Sequence, residues 1–213
     1  MNVFPPQLVI YDLDKKTIVK NYKVPYGVHG IFPIGNDPNH AILFGPDVYK
    51  MNLKTGELKT IMSGLHPKEG QEVRFVGAWY INNSPGDHGL LAAPFYAKSG
   101  LSFLMLDTQN GSIQTIKSKK MSMPFSAAVS PDKKFIYAGH DELIKVDVST
   151  GETVKSTHAD MGTFSSICFS PDGKKVYIGA FGADVSIYDA DTLELETVIP
   201  LGGDASVFTQ FSR

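Results

Sequence analysis

The chain has 213 residues, and its 20 basic and 22 acidic side chains leave a formal net charge of −2 at pH 7. This near-neutral charge argues against a nucleic-acid groove, which needs clustered lysine and arginine. Hydrophobic residues make up 42% of the sequence, enough to bury a core, and no run of about 18 apolar residues is present to cross a membrane as a helix. The first residues show no signal peptide, and the single cysteine, Cys168, excludes an intrachain disulfide, a thiolate metal cage and covalent c-type haem attachment.

A strand followed by a turn recurs along the chain. The turns are anchored at Asp12, Asn52, Asp107, Asp147 and Asp189, so successive anchors are 40, 55, 40 and 42 residues apart. An Asp or Asn side chain opens such a turn by accepting a hydrogen bond from the backbone two residues on, and a glycine takes the positive φ at its end. Ser-Pro-Asp turns at 130–132 and 170–172 join two further strands between anchors. Units of four strands at about 40–45 residues are typical of β-propeller blades.

We therefore predict an all-β fold, a β-propeller of four-stranded antiparallel blades that forms one domain over residues 1–213. In chain order it has a partial blade at 1–24, full blades at about 29–62, 73–117, 125–157 and 164–199, and a terminal inner strand at 205–212. The total is about five blades' worth of strands. Two interpretations stay open: the end strands combine into an incomplete fifth blade that closes the ring, or the chain is a truncated larger propeller.

The second full blade breaks the repeat, because its 55-residue interval carries about fifteen extra residues, most of them between 73 and 101. Loops on a rigid scaffold carry function, so this blade is the predicted binding region. Its residues Trp79, Phe95 and Tyr96 are candidate contacts for a protein partner or a substrate cavity, because aromatic side chains are favoured at interfaces. The alternative for Trp79 and Phe95 is packing between blades. Tyr96 lies beside the loop and is expected to be the more exposed.

Motifs for catalysis, cofactor binding or metal binding are absent from the sequence. The six histidines lack metal-ligand spacing, and there is no serine nucleophile elbow, phosphate loop or dinucleotide fingerprint. The aspartates recur at the repeat period, which marks them as turn residues, and the basic cluster Lys117–Lys120 is interpreted as a solvated loop. A lactonase-like enzyme would need metal ligands on the inner strands, which are apolar at 127–129 and 167–169. On its own residues the chain is predicted to be a scaffold or binding module.

Several segments resemble the β subunit of quinohemoprotein amine dehydrogenase. The resemblance runs from about Leu8 to the end of the chain. It is carried by the block Val73–Tyr96, with Trp79 and the run Leu-Leu-Ala-Ala-Pro-Phe-Tyr, by 125–129, 177–184 and 188–194, and by the terminal Phe211-Ser212-Arg213.

This resemblance implies a seven-bladed propeller in a periplasmic three-subunit enzyme that oxidises primary amines to aldehydes and ammonia. The partners would be a dihaem cytochrome c subunit and a small subunit whose quinone is made from a tryptophan cross-linked to a cysteine. This chain would hold no cofactor of its own and would act as their non-catalytic scaffold. It departs from the family in having about five blades' worth of strands, so about two N-terminal blades and an export signal would be missing, or the ring closes with fewer blades. The alternative function is a stand-alone propeller-repeat binding module with no catalytic activity.

Overall fold

The computed structural model describes residues 6–64, 73–76, 89–97, 100–139, 141–159, 166–179 and 184–201. Within these ranges the chain forms eighteen β-strands and no helix. In chain order the strands are β1 (Gln7–Asp12), β2 (Thr17–Lys23), β3 (Gly30–Ile34), β4 (Asp37–Phe44), β5 (Asp47–Asn52), β6 (Leu58–Ser63), β7 (Val73–Val76), β8 (Leu90–Ala97), β9 (Gly100–Asp107), β10 (Ser112–Lys117), β11 (Ser126–Val129), β12 (Phe135–Gly139), β13 (Glu142–Asp147), β14 (Thr153–His158), β15 (Ser166–Phe169), β16 (Lys175–Gly179), β17 (Asp184–Asp189) and β18 (Leu195–Pro200).

These strands pair with their chain neighbours into antiparallel sheets. Four sheets have four strands each, β3–β6, β7–β10, β11–β14 and β15–β18, and we call them the first to fourth blades. Strands β1 and β2 form a two-stranded sheet, the β1–β2 hairpin. The prediction of an all-β fold built from four-stranded antiparallel blades is confirmed. The predicted terminal strand at 205–212 lies outside the described residues, and the manner of ring closure stays a prediction.

The hydrophobic core lies in layers between successive sheets. Because side chains alternate along a strand, each blade sends apolar residues to both of its neighbours. In the second blade, Leu91 and Phe95 pack with Phe44 of the first blade, whereas Phe103 packs with Ile136 of the third. Similar layers join the β1–β2 hairpin to the first blade and the third blade to the fourth. This face-to-face stacking gives each connector between blades a rigid base.

The anchor turns form as the repeat predicts. In each turn the side-chain oxygen of the anchor accepts a hydrogen bond from the backbone amide two residues on, at 2.8–3.0 Å. The residue four positions after each anchor has a positive φ, and in three turns it is the expected glycine, Gly56, Gly111 or Gly151. The other two turns place Lys16 and Leu193 in this left-handed conformation, with φ values of 52° and 54°. The turn geometry is therefore retained where the glycine is not.

Candidate functional site

The three aromatic residues of the predicted binding region have different surroundings. Trp79 lies outside the described residues. Phe95 is 5% exposed and packs in the core between the first and second blades, the position foreseen by its alternative interpretation. Tyr96, the next residue of β8, is half-buried on the opposite face of the sheet and packs against the core shared with the third blade. Contact of these residues with a partner stays a prediction.

The Tyr96 hydroxyl supports the connector between the second and third blades, residues 118–125. It donates a hydrogen bond of 2.7 Å to the carbonyl oxygen of Pro124, and burial raises the pKa of Tyr96, so the hydroxyl keeps its proton for this bond. The amide of Ser118 donates to the carbonyl oxygen of Leu101 at 3.0 Å, which holds the start of the connector to the second blade. At its other end, the amide of Phe125 donates to the third blade at 3.0 Å. The connector is therefore held at both ends.

Between these supports the connector presents two methionines to solvent. Met121 and Met123 are 70% and 64% exposed, and a proline follows the second of them. The Met121 sulfur lies against Gly100, because a Cβ atom added at that glycine would be 2.9 Å from it. Methionine is flexible and polarisable, and it is favoured on surfaces that bind partners of varied shape. Sequence reasoning missed this pair, since apolar residues in a connector have no strand periodicity; the only signal was Met-Ser-Met-Pro in a polar segment.

Beside the connector, a groove of about 510 Å³ runs along β14, the last strand of the third blade. Lys119, Lys120 and Lys155 line it together with Glu152. The Lys119 ammonium lies 2.8 Å from the Glu152 carboxylate, and that of Lys120 lies 2.6 Å from the Glu142 carboxylate. These are exposed ion pairs, which add little to stability. Lys119 and Lys120 are thus paired with carboxylates, whereas Lys117 is the last residue of β10 and Ser118 is buried, so the cluster is only in part the solvated loop that the sequence predicted.

A buried lysine joins the third blade to the fourth. The side chain of Lys145 on β13 is 8% exposed, and its ammonium donates to the carbonyl oxygen of Ala190 at 3.2 Å and to the Asp191 carboxylate at 3.0 Å. The Tyr137 hydroxyl donates to the same carbonyl at 2.6 Å. The ammonium also lies 4.4 Å from the centre of the Phe135 ring, where a cation is attracted to the aromatic face. We call Tyr137 and Lys145 with Ala190 the interblade clamp.

A second clamp of this kind joins the β1–β2 hairpin to the first blade. Lys20 and Tyr22 donate to the carbonyl oxygen of Leu53 at 3.1 and 2.9 Å. Leu53 and Ala190 each directly follow a turn anchor, so the two clamps hold equivalent backbone atoms. Burial alone would lower the pKa of Lys145, but its hydrogen bonds to Tyr137 and Asp191 outweigh that effect and the pKa is raised. An ammonium held this firmly in the charged form suits a structural role better than proton transfer.

The described part of the chain shows neither a cluster of metal ligands nor a reactive thiol. No group of three or more His, Cys, Asp or Glu residues there could hold a metal ion. Cys168 on β15 is buried, and this burial raises its pKa to about 12, so the thiol stays protonated. In the same ranges no helix is long and apolar enough to cross a membrane.

The stacked four-stranded blades define this chain as a β-propeller domain. No family model matches the chain, and no curated protein matches it. Among solved structures, the β-propeller domain of Myceliophteria thermophila Cps50 (Swd1) is similar, with a TM-score of 0.59 over 91% of this chain and 14% sequence identity. The chain spans 65% of the length of that structure. A likeness at this identity shows the fold alone, and the resemblance to the amine dehydrogenase subunit stays a prediction from the sequence.

Proposed function

We propose that this propeller is a non-catalytic binding module that contacts a protein partner through the connector between its second and third blades. The observation that carries the proposal is the pair of exposed methionines, Met121 and Met123, on a connector held by hydrogen bonds at both ends. A fixed connector loses little conformational entropy on binding, and burial of two thioether side chains supplies apolar area. Tyr96 acts beneath this surface as a positioning residue.

For the identity of the partner we propose the assembly that the sequence resemblance implies. The chain would be the propeller subunit of a quinohemoprotein amine dehydrogenase and would scaffold a dihaem cytochrome c subunit and a small quinone subunit in the periplasm. Haem c and the cysteine-tryptophan-derived quinone would belong to those partners. The support is the Trp79-containing block and the C-terminal segments quoted above, together with a propeller fold. The second candidate is a stand-alone binding module, which would use the same exposed connector to bind a different protein.

The test is affinity purification of the tagged chain from its native host. The amine dehydrogenase proposal expects a haem protein and a small quinone protein to be recovered with the chain, and it expects the complex to reduce a dye when a primary amine is added. Recovery of the propeller with other proteins and no amine-dependent dye reduction would favour the stand-alone module.

The binding surface is tested separately with a Met121→Glu/Met123→Glu double variant. Charge on both connector side chains should lower partner recovery about tenfold or more, since a carboxylate is costly to bury at an interface. The matched control is Leu195→Glu on β18, which places the same charge on an exposed apolar residue of the fourth blade. Equal partner recovery with the double variant and the control would contradict the proposal that the connector is the binding surface. Circular dichroism of each variant shows that the blades are folded.

A further inference from the structure

The methionines of the described residues differ widely in exposure. Met51 is fully buried between the β1–β2 hairpin and the first blade, and Met105 is 5% exposed between the second and third blades. Met62 is partly buried against the core of the first blade. Met121 and Met123 are the two exposed methionines among the described residues, at 70% and 64%. Oxidation of methionine follows exposure, because the oxidant must reach the sulfur atom.

The chain's single thiol does not compete for an oxidant. Cys168 is 4% exposed on β15 of the fourth blade. The thiolate is the reactive form of cysteine, and burial disfavours it by raising the pKa to about 12. Peroxide that meets the folded blades therefore finds the connector thioethers more accessible than the thiol.

We propose that Met121 and Met123 form an oxidation site at which peroxides convert both thioethers to sulfoxides while the blades stay folded. In each step the peroxide transfers one oxygen atom to the sulfur: the O–O bond breaks and an S–O bond forms. The sulfur is oxidised by two electrons, and hydrogen peroxide is reduced to water. A sulfoxide reductase with a thiol reductant reverses the step.

The structure explains why this modification leaves the fold intact. Neither methionine belongs to a core layer, and the hydrogen bonds that hold the connector involve the backbone at Ser118, Pro124 and Phe125 and the Tyr96 hydroxyl. Both side chains are mostly exposed, so water can hydrate the added oxygen atoms and they need no buried partner. A sulfoxide at Met51 or Met105, in contrast, would place a polar oxygen in a core layer, where an unpaired polar group is costly.

The experiment treats the full, isolated chain with hydrogen peroxide and follows each methionine by peptide mass spectrometry. Met121 and Met123 should each gain one oxygen at least about tenfold faster than Met51 and Met105, which become accessible only through local opening. Near-ultraviolet circular dichroism should stay constant while the connector pair is oxidised, and sulfoxide reductase should remove the added mass.

The Met121→Leu/Met123→Leu variant is the matched control. It should lose the fast-oxidising connector sites, while Met51 and Met105 keep their slow rates, because leucine preserves the apolar surface without a sulfur atom. Equal rates for connector and buried methionines in the native chain would overturn the proposal. Loss of the circular dichroism signal in step with connector oxidation would overturn it as well. Neither measurement needs a binding partner, so the result is independent of the proposed function.

Discussion

The interblade clamp makes a quantitative prediction through Tyr137→Phe, which removes one hydroxyl and keeps the ring. The lost hydrogen bond to the Ala190 carbonyl oxygen is 2.6 Å long, and the net contribution of such a bond is about 1 kcal/mol. Ala190 still accepts from Lys145 at 3.2 Å, so its carbonyl oxygen is not left unpaired. The T-shaped contact between the Tyr137 and Phe169 rings, 4.9 Å apart, is preserved. The variant also removes the hydrogen bond between Lys145 and the Tyr137 hydroxyl, so we expect a loss of about 1–2 kcal/mol in the free energy of unfolding.

Lys145→Met removes the charged end of the clamp and should cost more. A hydrogen bond from a charged donor contributes about 1.5–3 kcal/mol, and the contact with the Phe135 ring adds about 0.5–2 kcal/mol. The variant no longer buries a charged ammonium, and the desolvation cost that it avoids offsets part of this loss. The net destabilisation is expected to be about 2 kcal/mol. The Asp191 side chain is 95% exposed, so solvent screens its ion pair and Asp191→Asn should cost less than Lys145→Met.

Thermal unfolding and urea titration measure both variants. For a chain of this length each kcal/mol shifts the midpoint by about 2–4 °C. The control is Tyr11→Phe, which removes a hydroxyl from a half-exposed tyrosine of β1 and should leave the midpoint unchanged. Equal midpoints for the native chain and Lys145→Met would refute the clamp. A loss with Tyr11→Phe as large as that with Tyr137→Phe would refute the assignment of the effect to the buried hydrogen bond.

The clamp also predicts a dependence on alkaline pH. The pKa of Lys145 is raised in the folded chain, so the unfolded chain loses this proton first as the pH rises. The stabilisation is therefore complete below the ordinary pKa of 10.5 and is lost as the pH climbs through the higher folded value. The free energy of unfolding of the native chain should therefore fall above pH 10.5, and Tyr137 contributes with the same sign because burial raises its pKa as well. A free energy of unfolding that stays constant or rises above this pH would contradict the prediction.

Three further predictions concern the turns, each measured by the midpoint of unfolding. Lys133 has a φ of 64°, a left-handed conformation that is costly for a residue with a side chain, and Gly173 takes the equivalent position in the next blade with a φ of 72°. Lys133→Gly should therefore stabilise the fold by about 1 kcal/mol, and a lower midpoint would contradict this. Gly151→Ala should cost more than about 2 kcal/mol, since its Cβ would lie 2.0 Å from a backbone oxygen at the end of β10; a neutral result would refute that contact. The Ser149 hydroxyl lowers the pKa of Asp147, as do backbone bonds, so this carboxylate stabilises the fold above pH 3.8 and loses that effect as pH falls through its lower folded pKa. Asp147→Asn should weaken the acid dependence, and an unchanged acid profile would count against this role.

The blades could be predicted because their turns depend on local chemistry. An anchor such as Asp107 bonds to its own backbone, and the glycine that follows takes a conformation other residues avoid, so both leave a pattern in the sequence. The left-handed conformation of Leu193, in contrast, could not be predicted from the local sequence. Leu193 adopts this conformation at a cost of about 1–2 kcal/mol. It is 1% exposed in the core of the third and fourth blades, and burial of its side chain offsets the strain.

The sequence is less informative about the candidate site, because the surroundings of a residue depend on which face of a strand it occupies. Phe95 and Tyr96 are adjacent, and alternation along β8 sends them to opposite faces. From its place beside the loop, Tyr96 was expected to be the more exposed of the two, and the packing of neighbouring blades encloses Phe95. Met121 and Met123 were missed for a different reason, since a connector has no alternation to interpret. Their exposure follows from where Ser118 and Pro124 are held.

Lys145 required information that no single segment contains. A lysine within an apolar strand has two outcomes, an exposed face or a buried charge with partners, and the strand pattern alone favours the first. Strand register changes this, because Tyr137 lies directly opposite Lys145 in the β12–β13 pair. Their side chains therefore leave the sheet together, toward the fourth blade, where the carbonyl of Ala190 accepts from both. The lysine is tolerated in the interior because the turn of the next blade, anchored at Asp189, offers the Ala190 carbonyl oxygen as an acceptor.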